Sequence, residues 1–98
     1  MIIVTGSILA RAETLDELLA LGLEHVRRSR TEPGCLAHAV HRDVENPLRL
    51  VFVEEWADRA ALLTHFAVPA SRAFARAAAV LSAEPPTLNI YDATQVRL

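Results

Sequence analysis

An α+β fold, a single sheet covered on one side by helices, is predicted for this chain by three observations. Segments 2–10, 35–43, 49–57 and 87–98 are rich in β-branched and apolar residues with a period near two. Two segments between them carry apolar stripes at helical spacing. Pro33-Gly34, Asn46-Pro47 and Pro85-Pro86 separate these segments with residues that break helices and ladders. The order is β-α-β-β-α-β, and right-handed crossovers fold such a unit into a four-stranded antiparallel sheet with the helices on one face, the ferredoxin-like plait.

Ninety-eight residues suffice for one hydrophobic core and not for two, so residues 1–98 are expected to form a single domain. With 52% hydrophobic residues, the chain has more apolar surface than a domain this small can hide. That excess predicts a homodimer in which the uncovered sheet faces pack together. All ten basic residues are Arg, against twelve acidic ones, and a net charge of -2 removes the electrostatic case for binding nucleic acid. The single Cys cannot form an internal disulfide, and Met1 runs directly into Ile2-Ile3-Val4 without a basic leader. The expectation is a cytoplasmic protein with no membrane partner, because no apolar run approaches the roughly 20 residues that span a bilayer.

The first strand, from Ile2 to Ala10, places Thr5 and Ser7 on one face. Thr14 and Glu17 have the spacing of a capping box, and Leu15, Leu18, Leu19, Gly22, Leu23 and Val26 form the stripe of the helix that follows. Arg27, Arg28 and Arg30 close that helix, where positive charge suits its dipole. In the second strand Leu36, His38, Val40 and Arg42 share a face, and in the third Leu50, Phe52, Glu54 and Trp56 do. Pairing those faces across the Asn46-Pro47 hairpin brings His38 near Glu54. Asp58 is the expected N-cap of a short helix carrying Leu62, Leu63 and His65. Pro69 opens the next helix, striped by Phe74, Ala77, Val80 and Leu81, and the last strand runs from Thr87 to Leu98.

Several of these residues have both a chemical and an architectural reading. Trp56 and Phe52 either form the apolar wall of a pocket or pack as ordinary core. Glu54, if inward, is a buried carboxylate that needs His38 or an Arg as partner. His38 itself is a pocket group or a satisfied core residue. Ser7 offers a hydroxyl to a substrate oxygen or bonds within the sheet, and Arg72 and Arg76, one helical turn apart, flank a pocket mouth or stand in solvent. The four His, at 25, 38, 41 and 65, are scattered over helices and one strand without ligand spacing, so no metal site is expected. Cys35 has no base beside it, and no Gly-rich phosphate loop exists for a flavin or nicotinamide cofactor.

The run Glu32-Pro33-Gly34-Cys35-Leu36, the Asn46-Pro47 hairpin, Glu55-Trp56-Ala57-Asp58, Ala61-Leu62 and His65 resemble the antibiotic biosynthesis monooxygenase domain, a member of the dimeric α+β barrels. The resemblance implies a sheet-to-sheet homodimer. It also implies a cofactor-independent monooxygenase that oxidises a small electron-rich aromatic, quinol or polyketide-like substrate with molecular oxygen. His65 is then the base that takes the substrate's proton, the alternative being an imidazole that merely packs at the end of a short helix. Trp56, Phe52, His38, Glu54, Ser7 and Arg72 would shape the substrate site. Related barrels degrade haem with a strand-one Asn, a Trp and a ligating His; here those positions hold Ser7 and His65, and residues 66–81 contain no His. Two alternatives stay open: a small-molecule binding barrel without catalysis, and an isomerase or lyase acting on a phosphorylated signalling sugar, for which Arg72 or Arg76 would supply positive charge.

Overall fold

The computed structural model describes residues 1–98. Its elements are β1 (Ile2–Leu9), α1 (Leu15–Ser29), β2 (Cys35–Arg42), β3 (Arg49–Trp56), α2 (Arg59–Ala67), α3 (Pro69–Leu81) and β4 (Thr87–Asp92). The strands form one antiparallel sheet in the order β2-β3-β1-β4, the ferredoxin-like arrangement expected from the element order.

Alternation decides which side chains meet the helices. On β1 the even residues Ile2, Val4 and Ile8 are buried while the odd ones are only half-buried, and on β3 Leu50, Phe52, Glu54 and Trp56 are buried. These side chains divide the core in two. Ile8, Leu50 and Phe52 pack with Leu18, Val26 and Ala78, whereas Ile2, Val4 and Trp56 pack with Leu62. Glu54 stands on β3 between Phe52 and Trp56, so the polar position falls between the two apolar clusters.

Helix α1 has Asp16 and Glu17 in its first turn and Arg27 and Arg28 in its last, as the dipole favours. The capping box does not form. Thr14 adopts helical angles, and its hydroxyl instead accepts from the Arg11 N–H at 3.0 Å and donates to the Leu81 carbonyl at 2.7 Å, tying the start of α1 to the end of α3. Leu23 is partly exposed and His25 is buried in its place on the sheet-facing side. Gly22 lets α1 approach the sheet closely, since a Cβ there would lie 3.2 Å from the Phe52 ring.

The hairpin follows the expected register, with His38 opposite Glu54. A bulge between Cys35 and Ala37 pairs Cys35 with Trp56 and throws Leu36 out, leaving it 59% exposed rather than on the His38 face. Asp58 caps α2 by accepting from the Ala61 N–H at 2.8 Å. On α3 the buried stripe runs through Ser71 and Ala78, and Val80 is in solvent. Strand β4 ends at Asp92 and all six of its residues are exposed; Val96, expected in the strand, lies beyond it because β1 offers partners only from Ile2 to Ser7.

Gly34 has φ +81°, and a Cβ there would sit 2.5 Å from Ala61 Cβ. Its carbonyl accepts from the Ala57 N–H at 2.8 Å, which seats the turn against the start of α2. Gly34→Ala is therefore expected to destabilise the fold by about 2 kcal/mol or more, from left-handed backbone strain plus the collision. In urea unfolding, adding Ala61→Gly should recover the collision part and leave the strain. A Gly34→Ala protein as stable as the parent would contradict this account.

Candidate active site

Four elements each contribute one polar side chain to the gap between the two core clusters: His25 from α1, His38 from β2, Glu54 from β3 and His65 from α2. All four are buried. The ring centroids of His25 lie 5.3 Å from those of both His38 and His65, and His38 and His65 are 5.7 Å apart. The expectation of scattered histidines is thus corrected for three of the four, of which one nitrogen from each ring lies within 4.8 Å of the other two. Only His41 points away, on the other face of β2, and it is exposed.

His65 and His25 are each held by a partner that decides which ring nitrogen carries the hydrogen. Glu32, in the turn before β2, places Oε1 2.8 Å from His65 Nδ1. A carboxylate only accepts, so the hydrogen of the neutral ring lies on Nδ1 and the Nε2 lone pair is free. For His25 the partner is of opposite kind. Arg28 Nη2 lies 2.8 Å from His25 Nδ1, and since a guanidinium only donates, Nδ1 accepts and the ring hydrogen lies on Nε2. Burial above all, then the charges of His38, His65 and Arg28, lowers the His25 pKa from 6.5 to about 3, so the ring stays neutral. With its Nε2 closed to a cation by that hydrogen, His25 is not a ready metal ligand, despite the convergence of three imidazoles.

Glu54 Oε1 accepts from the Trp56 indole N–H at 2.8 Å and lies 3.3 Å from His38 Nε2. The His38 contact is close enough for an ion pair but off the axis of a hydrogen bond, and both His38 ring nitrogens are sealed without a hydrogen-bond partner. Burial pushes the Glu54 carboxyl up, but His38, the indole and the charge of His65 outweigh it and hold the group below its usual range.

Beside this cluster opens a cleft of about 260 Å³ between the sheet and α3. Gly6, Ile8 and Phe52 form its floor, Phe66, Phe74, Ala75 and Ala78 its walls, and Leu88 its β4 rim. His25, Glu54 and His65 form the polar end, with Ser71 alongside. The His25 ring stacks on Phe74 with centroids 4.2 Å apart.

Of the residues singled out from sequence, His65, Phe52 and Glu54 line this cleft. Trp56 and His38 do not line it. Trp56 is fully buried behind His65, ring centroids 4.6 Å apart, and His38 is enclosed behind Glu54. Ser7 lies at the cleft, but its hydroxyl accepts from Arg49, whose other nitrogen binds Glu84 at 3.0 Å. Arg72 is exposed at the mouth, where it lines the cleft and donates to the Phe66 carbonyl at 3.3 Å, while Arg76 lies outside the lining, so of the two only Arg72 brings positive charge to the cleft. Burial pushes the half-buried Cys35 thiol up, helped by Glu32 and Glu54, which leaves it a poor nucleophile. Sequence reasoning missed His25, Glu32, Phe66, Phe74 and Ser71. The position of His25, one residue before the stripe residue Val26 and three after Gly22, was the available signal.

A ferredoxin-like α+β domain with a one-sided apolar cleft ending in histidines and a carboxylate is the class these features define. The sequence model of the antibiotic biosynthesis monooxygenase family matches residues 1–77, and the chain belongs to that family. A candidate antibiotic biosynthesis monooxygenase from Deinococcus radiodurans is similar in structure, with a TM-score of 0.94, 28% identity and coverage of 100% of this chain and 97% of that one. Another solved antibiotic biosynthesis monooxygenase gives a TM-score of 0.88 at 33% identity, covering 97% and 100% of the two chains. An uncharacterised protein of Synechocystis is 31% identical over 96 residues; the match takes in 98% of this chain and 65% of that protein's length.

Proposed function

We propose that the cleft is the active site of a cofactor-independent monooxygenase that oxidises a small electron-rich aromatic or quinol-like molecule with molecular oxygen. The observation that carries this reading is the setting of His65, whose Nδ1 is anchored on Glu32 and whose Nε2 is left unpartnered at the end of an apolar cleft. A flat ring enters between Phe52, Phe66 and Phe74, and its hydroxyl meets His65 Nε2. Proton transfer to that nitrogen leaves an electron-rich phenolate in a dry site, the form that reacts with oxygen. Glu32 supports the imidazolium that results, in the manner of a carboxylate orienting a catalytic histidine.

The uncovered sheet face, with Ile3, Thr5, Val51, Val53 and Tyr91, is proposed to pack against the same face of a second copy. Sedimentation should then give the dimer mass.

Oxygen uptake measured over a panel of quinols and hydroxynaphthalenes tests the function. His65→Ala is expected to lose about 10²–10⁴-fold in rate with its fold unchanged. Tight binding of such compounds with no oxygen uptake in the parent protein would favour the non-catalytic binding barrel instead.

A further inference from the structure

His25 and His65 present opposite hydrogen-bonding characters to the same cleft. The hydrogen of His65 is committed to Glu32, so its Nε2 accepts; the lone pair of His25 Nδ1 is committed to Arg28, so its Nε2–H donates. Neither Nε2 has a protein partner, and neither is among the atoms sealed from the cleft, unlike the nitrogens of His38. Both rings line the same end of the cleft with their centroids 5.3 Å apart, so a single oxygen held there can lie within hydrogen-bond reach of both. We propose that His25 is a second catalytic residue, an oxyanion donor whose Nε2–H binds the phenolate or enolate oxygen formed when His65 takes the substrate's proton.

The step balances within the site. The substrate O–H bond breaks, an N–H bond forms at His65 Nε2, and the electron pair stays on the oxygen, which accepts from His25 Nε2–H. The donor is in place before reaction, because Arg28 fixes the tautomer, Phe74 fixes the plane of the ring, and burial keeps the imidazole neutral rather than a competing acid. The groups facing His25 are His38, His65, Arg28 and Glu54, and the three cationic or potentially cationic ones oppose a second proton on it. The ligand class recognised is a planar phenol or enol that ionises at a single oxygen.

This inference rests on His65 as the proton acceptor, and its test needs no turnover. 4-Nitrophenol, whose anion is coloured, reports by absorbance which ionisation state is bound. The parent protein is expected to bind the phenolate in preference to the phenol, and so to lower the probe's apparent pKa. His25→Phe, which keeps the stack on Phe74, should weaken phenolate binding about 10–100-fold while leaving binding of non-ionising nitrobenzene unchanged. His25→Gln, with an amide N–H, should restore part of that loss. Nitrogen-15 NMR of the imidazoles should show His25 as the Nε2–H tautomer. An Nδ1–H tautomer, failure of the probe to bind, or equal phenolate affinity in a folded His25→Phe protein would each overturn the assignment. Preferential phenolate binding without oxygen uptake from any quinol would retire the monooxygenase reading and leave the oxyanion subsite standing.

Discussion

Trp56→Ala is expected to remove most of the stability of this protein. The indole is completely buried against Ile2, Val4 and Leu62 and forms the centre of the smaller core cluster. Truncating a buried Trp costs about 3–5 kcal/mol, a large part of the roughly 5–15 kcal/mol that holds a domain together. A second loss adds to the first, because the indole N–H is a donor to the buried Glu54 carboxylate. Trp56→Phe separates the two effects. It fills most of the cavity but removes the donor, and is expected to cost about 1.5–3 kcal/mol, the range for a hydrogen bond to a charged group. Urea unfolding of the two variants measures both; a Trp56→Phe protein as stable as the parent would show that the indole acts through its volume alone.

The second large effect is acid sensitivity beginning well above the carboxylate range. In the folded chain the His25 pKa lies near 3, against 6.5 for an ordinary His. Between those values the unfolded chain carries a proton on this residue that the folded chain refuses, so stability falls as pH is lowered from about 6.5 and the loss is complete near 3. The slope in that window reaches at most about 1.4 kcal/mol per pH unit. Glu54 acts lower down. Its carboxyl is held below the ordinary 4.5, so its contribution is present above that value and disappears as pH falls through the folded pKa. His25→Gln should therefore abolish the part of the slope between about 6.5 and 4.5 and leave the lower part, as read from urea midpoints across pH. A parent protein equally stable at pH 6.5 and pH 4.5 would mean that the ring is charged in the fold or reached by water.

Much of the fold is legible along the chain because both periodicities are local. Alternation on β3 puts Leu50, Phe52, Glu54 and Trp56 on one face before any partner strand is known, and the two-residue breaks at Asn46-Pro47 and Pro85-Pro86 mark where strands and helices stop. The His38–Glu54 pairing follows from the same counting once the hairpin closes. Where local rules failed, a distant partner won. Thr14 gave its hydroxyl to Leu81 instead of its own helix, and the bulge at Leu36 let Cys35 pair with Trp56.

The element order and the inward carboxylate on the third strand were determined by the sequence alone. Which imidazoles meet, which of them touch the cleft and on which nitrogen each carries its hydrogen were decided only by tertiary structure. Those properties depend on Arg28, Glu32 and Phe74 reaching the ring atoms from α1, a turn and α3. Residue spacing encodes the direction of a side chain from its own backbone, but the direction of a hydrogen bond is set by whichever donor or acceptor packing brings to within 3 Å of it.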